Sequence, residues 1–272
     1  MADSHHSWVI GDLQGCLDSL KYLLAQPALN EDPKAHFYFA GDLINRGPQS
    51  LAVLETLEAL GDRAHCVLGN HDIHFLSVAS GMRRANRLDS FHDILDSPQR
   101  DYWIDWLRRQ PLLLEVHDHL IVHAGIDPQW SLQELRHIAR EIEALLQSDD
   151  WAEHLLKLFG NEPDRWSPQL SGYDRLRYGL NVLTRIRYMH RDGRLDFAYK
   201  EAPQNAPDNL VPWFEVQPRT IRQPIVFGHW STLGLLRNHG VMAIDTGALW
   251  GRQLTAIRLQ DGVVVQVPAQ ES

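Results

Sequence analysis

Six short apolar runs in this 272-residue chain end on side chains able to bind a cation or move a proton. Trp8-Val9-Ile10 ends in Gly11-Asp12, the aromatic-rich run 36–40 in Gly41-Asp42, and Cys66-Val67-Leu68 in Gly69-Asn70-His71-Asp72. Leu120-Ile121-Val122 ends in His123-Ala124-Gly125, Ile225-Val226-Phe227 in Gly228-His229, and Met242-Ala243-Ile244 in Asp245-Thr246-Gly247. One such ending is an ordinary turn, since Asp, Asn and Gly all favour turns. Six of them, all with ligand-type side chains, point to strands that lie side by side and deliver their carboxyl ends to one crevice. Four residues after Asp42 comes Arg46, then Gly47-Pro48. A carboxylate and a guanidinium at one strand end suit a metal beside a phosphate, because the planar guanidinium binds two phosphate oxygens at once.

The elements that must position these residues are legible from periodicity. Residues 16–25 place Cys16, Leu17, Leu20, Leu23 and Leu24 at helical spacing, and Pro27 ends the run. Ser50 precedes a second run, Leu51, Val53, Leu54, Leu57 and Leu60, that stops at Gly61. The opening is therefore βαβαβ, which favours neighbouring parallel strands. Helical signal returns from about residue 73 and over 102–107, and Pro111 breaks it before a strand pair around 112–116 and 120–122. The middle changes character: Ser131-Leu132-Gln133-Glu134 is a capping box opening a long helix. Further helices are expected over about 151–159 and 173–188. Residues from about 127 to 220 read as a helical insertion over the crevice, and a Pro-rich stretch, 203–218, returns the chain to the core strands. His229 and Asp245 follow that insertion, so the whole chain, 1–272, is expected to be one domain.

Composition excludes several classes. Hydrophobic residues make up 44% of the chain, enough for a sizeable core. The formal net charge is −9, and no basic stripe is visible, so general nucleic-acid binding is not expected. A polyanionic substrate must be captured locally by metals and a few arginines, against the overall field. Two cysteines, Cys16 and Cys66, make no disulfide framework and read as small buried thiols. The first six residues have no basic or long apolar leader character, and no run reaches membrane-spanning length, so a soluble cytoplasmic protein is expected.

The blocks Gly11-Asp12-Leu13-Gln14-Gly15, Gly41-Asp42 through Arg46-Gly47, Gly69-Asn70-His71-Asp72, His123-Ala124-Gly125 and Gly228-His229 resemble the phosphoprotein-phosphatase branch of the calcineurin-like metallophosphoesterases. Arg108-Arg109-Gln110-Pro111-Leu112-Leu113 and Phe227-Gly228-His229-Trp230 bring the likeness nearest to the bacterial symmetrical diadenosine tetraphosphatases of that branch. The resemblance spans nearly the whole chain. It implies an α/β sandwich of two β-sheets flanked by helices, with a helical cap. It also implies hydrolysis of diadenosine tetraphosphate to two ADP by a metal-bridging hydroxide, with dinucleotide-capped RNA 5′ ends as further substrates.

By the same resemblance, one metal takes Asp12, Gln14 and Asp42, and the other takes Asp42, Asn70, His123 and His229, with Asp42 as the bridge. A mixed set of carboxylate, amide and imidazole suits Mn²⁺, Co²⁺ or Fe²⁺, and Mn²⁺ is the expected ion. Gln14 departs from the superfamily's His, and an amide oxygen is the weaker donor to Mn²⁺. His71 takes the general-acid role, which asks for a protonated imidazole. Asn45 stands where the protein phosphatases have an Asp that supports this histidine, leaving the adjacent Asp72 as the carboxylate to assist. Arg46 is the phosphate clamp. Arg185 and Arg187, in a Thr184-Arg185-Ile186-Arg187 block, are either phosphate ligands or a solvated basic helix face. Asp245 is expected to orient a ligand histidine from behind. Trp213, Phe214, Trp230 and Trp250 are stacking surfaces for adenine or, singly, core. His65 and His74 read as packing or surface residues. The ligands do not separate a nucleotide from a phosphoprotein substrate, and Gln14 and Asn45 leave room for a non-catalytic dinucleotide sensor.

Overall fold

A computed structural model describes residues 5–271; the reading of the first four residues as lacking leader character lies outside it. Strands form because β-branched and aromatic residues fill short runs that are buried on both faces, as in the first strand, where all four residues are buried. The first sheet has the order β13 (Val264–Pro268), β12 (Gln253–Arg258), β1 (Ser7–Ile10), β2 (His36–Phe39), β3 (Ala64–Cys66). The second has the order β10 (Leu236–Asn238), β11 (Val241–Ala243), β9 (Ile225–Phe227), β5 (His119–Ile121), β4 (Leu114–Val116).

Each sheet holds three neighbouring parallel strands, β1-β2-β3 in one and β11-β9-β5 in the other. These are the six strands whose ends carry the ligand-type residues. Three site segments therefore come from each sheet, and the expected two-sheet α/β sandwich is borne out.

Helices cover the sheets: α1 (Leu17–Leu24), α2 (Pro27–Asn30), α3 (Ser50–Ala59), α4 (Asn70–Ala79), α5 (His92–Leu95) and α6 (Arg100–Arg108), followed by α7 (Leu132–Gln147), α8 (Trp151–Leu158) and α9 (Gly172–Arg185). The capping box at α7 is present in both directions: Glu134 N–H donates to Ser131 Oγ (3.2 Å), and Ser131 N–H donates to Glu134 Oε2 (2.8 Å). Ser50 does not cap α3 but opens it, and its hydroxyl accepts the Asn45 N–H (3.0 Å).

Two expectations for the middle of the chain need correction. The third helix stops at Arg185 rather than reaching 188, and Tyr188 instead starts a strand. The segment is also not purely helical, because β6 (Tyr188–His190) pairs with β7 (Leu195–Asp196) and β8 (Leu210–Pro212) in a third sheet. Runs of two or three residues per strand are too short to leave a period-two signal.

Arg108 ties the middle helices to the rest of the chain. Its buried guanidinium donates to the carbonyls of Leu146 (2.9 Å) and Ser148 (3.1 Å), capping the C-terminus of α7, where carbonyls lack partners and the helix dipole is negative. Close by, Leu112 N–H donates to Glu143 on the same helix (2.8 Å). Arg108→Ala should cost about 1.5–3 kcal/mol, the usual worth of hydrogen bonds to a charged group. The corresponding fall in Tm is about 3–12 °C by calorimetry. An unchanged Tm would show that the cap contributes nothing.

Candidate metal and phosphate site

The six strand ends meet in a cleft of about 700 Å³, lined by Asp12, Gln14, Asp42, Asn70, His229 and Asp245 together with Arg46, His71, Arg185 and Arg187. His123 lies directly beneath, fully buried. Atoms of Asp42, His123 and His229 all come within 4.8 Å of one another, close enough to share one cation.

The backbone had to be bent to bring these groups together. Seven described residues other than glycine have positive φ, and five of them are Gln14, Asp42, Asn45, Arg46 and His229. Such angles cost energy, and they persist only where surrounding structure over-determines them, typically at functional sites. The neighbouring glycines have a reason beyond turn formation. A Cβ on Gly228 would sit 1.9 Å from Asp12 Oδ1, and one on Gly69 would sit 2.1 Å from Asp42 Oδ1.

The two histidines of this cluster are fixed in tautomer by backbone carbonyls, which can only accept. His123 Nδ1–H donates to Ala40 O (2.8 Å), leaving the Nε2 lone pair facing Asp42 Oδ1 at 3.4 Å. His229 Nε2–H donates to Arg185 O (3.0 Å), leaving Nδ1 turned inward. Burial pushes both imidazoles below their ordinary pKa, His229 strongly and with help from the Arg187 charge, so both are neutral, as metal ligation requires. The Asn70 amide oxygen faces only acceptors, among them His123 Nε2 at 3.1 Å. Reversing that amide would satisfy hydrogen bonds, but lone pairs converging from an amide and two imidazoles are what a cation requires.

The carboxylates point the same way. Asp12 is pushed well above its usual range by burial and by the charges of Asp245 and Asp42, and Asp245 is pushed up to about 6, chiefly by burial. A divalent ion would relieve this crowding, so the residues present fit one. Among them Gln14 lines the cleft beside Asp12 and Asp42.

His71 sits at the start of α4, and its own N–H donates to Asp42 Oδ1 (2.8 Å). Asn45 stands behind it. The Asn45 oxygen accepts N–H bonds from Arg46 (2.7 Å) and Ser90 (3.1 Å), which fixes the amide so that Nδ2 faces His71 Nδ1 (3.1 Å) and Asp89 Oδ1 (3.1 Å). An amide donor against Nδ1 requires a lone pair there. The imidazole is accordingly neutral with its proton on Nε2, 4.0 Å from Asp42 Oδ2, and burial lowers its pKa. The imidazolium expected from sequence is replaced by a neutral ring with a defined proton.

Three further expectations change. Asp72 does not reach the cleft: its oxygens accept N–H bonds from Leu43 (3.0 Å) and Gly69 (2.8 Å), clamping the loop after β2 to the start of α4. Asp245 holds neither histidine, since their outer nitrogens are on carbonyls; it crowds Asp12 instead. Trp213 and Phe214 are buried in the core, whereas Trp250 is 67% exposed on the cleft rim and Trp230 lines it with its ring almost wholly covered.

Arg187 is mostly spent on the His229 carbonyl (2.7 Å), while Arg185 bonds to Asn161 (3.0 Å) and Asn181 (2.7 Å). Sequence reading missed Lys200 and Arg252 on the cleft wall, and Asp89, which also pairs with His74 (2.8 Å). Nothing in their local sequence marks them, for they arrive from loops with no motif.

The chain matches the family described as calcineurin-like phosphoesterase over residues 5–230. A protein of Janthinobacterium sp. (strain Marseille) named bis(5′-nucleosyl)-tetraphosphatase, symmetrical, is 48% identical over 262 residues, covering 96% of this chain and 95% of its own. A relative of the same name from Vibrio cholerae is 43% identical, covering 94% and 95%. A solved structure described as a candidate diadenosine tetraphosphatase superposes with a TM-score of 0.66 at 19% identity, over 100% of this chain and 96% of that one, which speaks to the fold.

Asn45→Asp should not rebuild the missing ion pair. It would set a carboxylate against Asp89 Oδ1 and remove the donor to His71, costing about 2–3 kcal/mol. The expected fall in Tm is about 4–12 °C. Pairing it with Asp89→Asn should recover most of that loss in a thermal melt; equal melts for the single and double variants would contradict the arrangement.

Proposed function

The chain belongs to the calcineurin-like phosphoesterases, and from that premise we propose that it hydrolyses diadenosine tetraphosphate symmetrically to two ADP. The observation that carries this reading is the charge layout of the cleft. Its floor holds Asp12, Asp42 and Asp245, and five cations surround them: Arg46, Arg185, Arg187, Lys200 and Arg252. That number exceeds what a phosphate monoester needs and suits a chain of four phosphates, in a protein whose net charge is otherwise −9. The near full-length likeness to relatives named symmetrical tetraphosphatases supports the same reading.

Asp12, Gln14, Asp42, Asn70, His123 and His229 would hold two divalent ions, Mn²⁺ in this reading. When bound, such ions supply an activated water and charge neutralisation. The rest is done by this chain's own groups. Arg46 grips the phosphate under attack and opposes the charge that develops on its oxygens. His71 carries a proton on Nε2, at the cleft, and directs it in a hydrogen bond to the oxygen of the departing ADP, opposing the charge that collects there while the proton stays on the ring. Asn45, by donating to Nδ1, keeps that tautomer and makes Nε2–H the better donor. Asp72 serves only through the backbone it clamps.

Dinucleotide-capped RNA 5′ ends present the same bond and enter the reading as further substrates. One domain with the segment from about 127 to 220 as a cap is part of the reading too. No helix among the described residues is long and apolar enough to cross a membrane, and a cytoplasmic setting accords with two buried free thiols.

Reaction with Mn²⁺ in ¹⁸O-labelled water, resolved by chromatography and mass spectrometry, tests the bond that breaks. Two ADP should form, with label in the β-phosphate of only one of them. ATP and AMP as main products would refute symmetrical cleavage. Phosphate released from phosphopeptides, without dinucleotide turnover, would mark a phosphoprotein phosphatase, and tight dinucleotide binding without products would mark a sensor.

A further inference from the structure

A second hollow of about 880 Å³ also reaches His71. It shares Arg46, Asn70, His71, Arg185 and Lys200 with the carboxylate-floored cleft, so the two chambers are continuous through these residues. We propose that this second chamber is a nucleotide subsite that receives the departing nucleoside diphosphate half of the substrate. The proposal rests on the functional reading above and names where that substrate's second half lies.

Its chemistry differs from that of the first chamber. Not one Asp or Glu is among its lining residues, whereas Asp12, Asp42 and Asp245 line the other. Arg46, Arg83, Arg185 and Lys200 contribute four cations. Among the described residues the Arg185 guanidinium donates to neutral amide oxygens, those of Asn161 and Asn181, and stacks on Phe197, 4.4 Å from its ring centroid. Among the described residues no carboxylate pairs with Arg46, Arg83, Arg185 or Lys200, although acidic residues outnumber basic ones in the chain, 35 to 26. The charges of Arg185 and Arg83 also act on each other unfavourably. Cations gathered without counter-charges form a site for a polyanion.

The walls suit a nucleoside beyond the phosphates. Phe159 lies under the Arg83 guanidinium, 5.0 Å from its ring centroid, and Leu156 is 60% exposed at the end of α8. A ring and an aliphatic surface beside paired arginines give a base its stacking partner and its phosphates their ligands. His71 lines both chambers, so the phosphate chain that passes it has one half over the carboxylate floor and the other in the carboxylate-free space. A diphosphate leaving towards cations and away from three carboxylates is electrostatically favoured. The exposed Trp250 is left to the half that stays over the metal ligands.

The test uses the whole chain and 8-azido-ADP as a photoprobe, with labelled peptides mapped by mass spectrometry. Label is expected on the peptide carrying Met82 to Asn86 or on the one carrying Leu156 to Asn161. Arg83→Gln should lower it at least about fivefold, and raise KM for diadenosine tetraphosphate about tenfold with kcat nearly unchanged, the loss of one charge-assisted phosphate contact. Phe159→Leu keeps an apolar side chain in place and should act in the same direction; thermal melts of both variants monitor folding. Label confined to the surroundings of Trp230 and Trp250 and unmoved by Arg83→Gln overturns the subsite. Label at the expected peptides from a wild-type chain that makes no ADP leaves the subsite standing and overturns the functional reading alone.

Discussion

Three carboxylates crowd the floor of one cleft, out of water and without a matching positive charge in contact with them. Asp12, Asp42 and Asp245 are at most 5% exposed, and burial together with the Asp42 charge raises the proton affinity of both Asp12 and Asp245. In a medium of low polarity this arrangement is costly, and much of the surrounding structure works to hold it. Backbone N–H groups are turned towards each acid: His229 to Asp12 (3.1 Å), His71 to Asp42 (2.8 Å), and Gly247 to Asp245 (3.1 Å). The positive backbone angles at Asp42 and His229 and the absent Cβ atoms at Gly69 and Gly228 follow from the same need. Burial keeps the imidazoles of His123 and His229 neutral, and carbonyls hold the remaining proton on their outer nitrogens, so lone pairs rather than protons face the acids.

Much of this was legible in sequence because it is local. An apolar run ending in Gly plus a ligand-type residue is visible at six places, and the rule that open parallel strands present their carboxyl ends together joins Asp12 to Asp245 across more than 200 residues. The capping box at Ser131 and the break at Pro111 are equally local. What escaped was whatever depends on direction. Asp72 and His71 are adjacent, yet successive residues of a helix point about 100° apart, so one faces the cleft and the other the backbone of Leu43. Asp89, Lys200 and Arg83 come from loops distant in sequence, and no spacing rule announces them. The small third sheet escaped because its strands are too short to show a period.

The same distinction explains how an acidic protein handles a polyphosphate. Net charge describes the far field, but a polyanion is held by cations within a few ångströms, where the local arrangement outweighs the sum. Here the basic groups at the cleft bond mainly to neutral acceptors, such as the Arg187 contact with the His229 carbonyl and the Arg185 contacts with Asn161 and Asn181. They remain positive and oriented, with fewer ion pairs to break when a phosphate arrives. The middle segment supplies Arg185, Arg187 and Lys200, and Arg108 anchors it through α7. Structure far from the carboxylate floor thus has a direct bearing on which anion is bound.

The central claim is that this cluster of acids and neutral imidazoles is built around divalent cations. Titrating metal-stripped wild-type chain with Mn²⁺ in a calorimeter, and melting it across the same series, tests the claim without recourse to activity. Two ions should bind per chain and Tm should rise with their concentration, because an ion that binds only the folded form stabilises it. K⁺ at the same ionic strength should do neither. A Tm indifferent to Mn²⁺, or binding equally weak for both ions, would contradict the account.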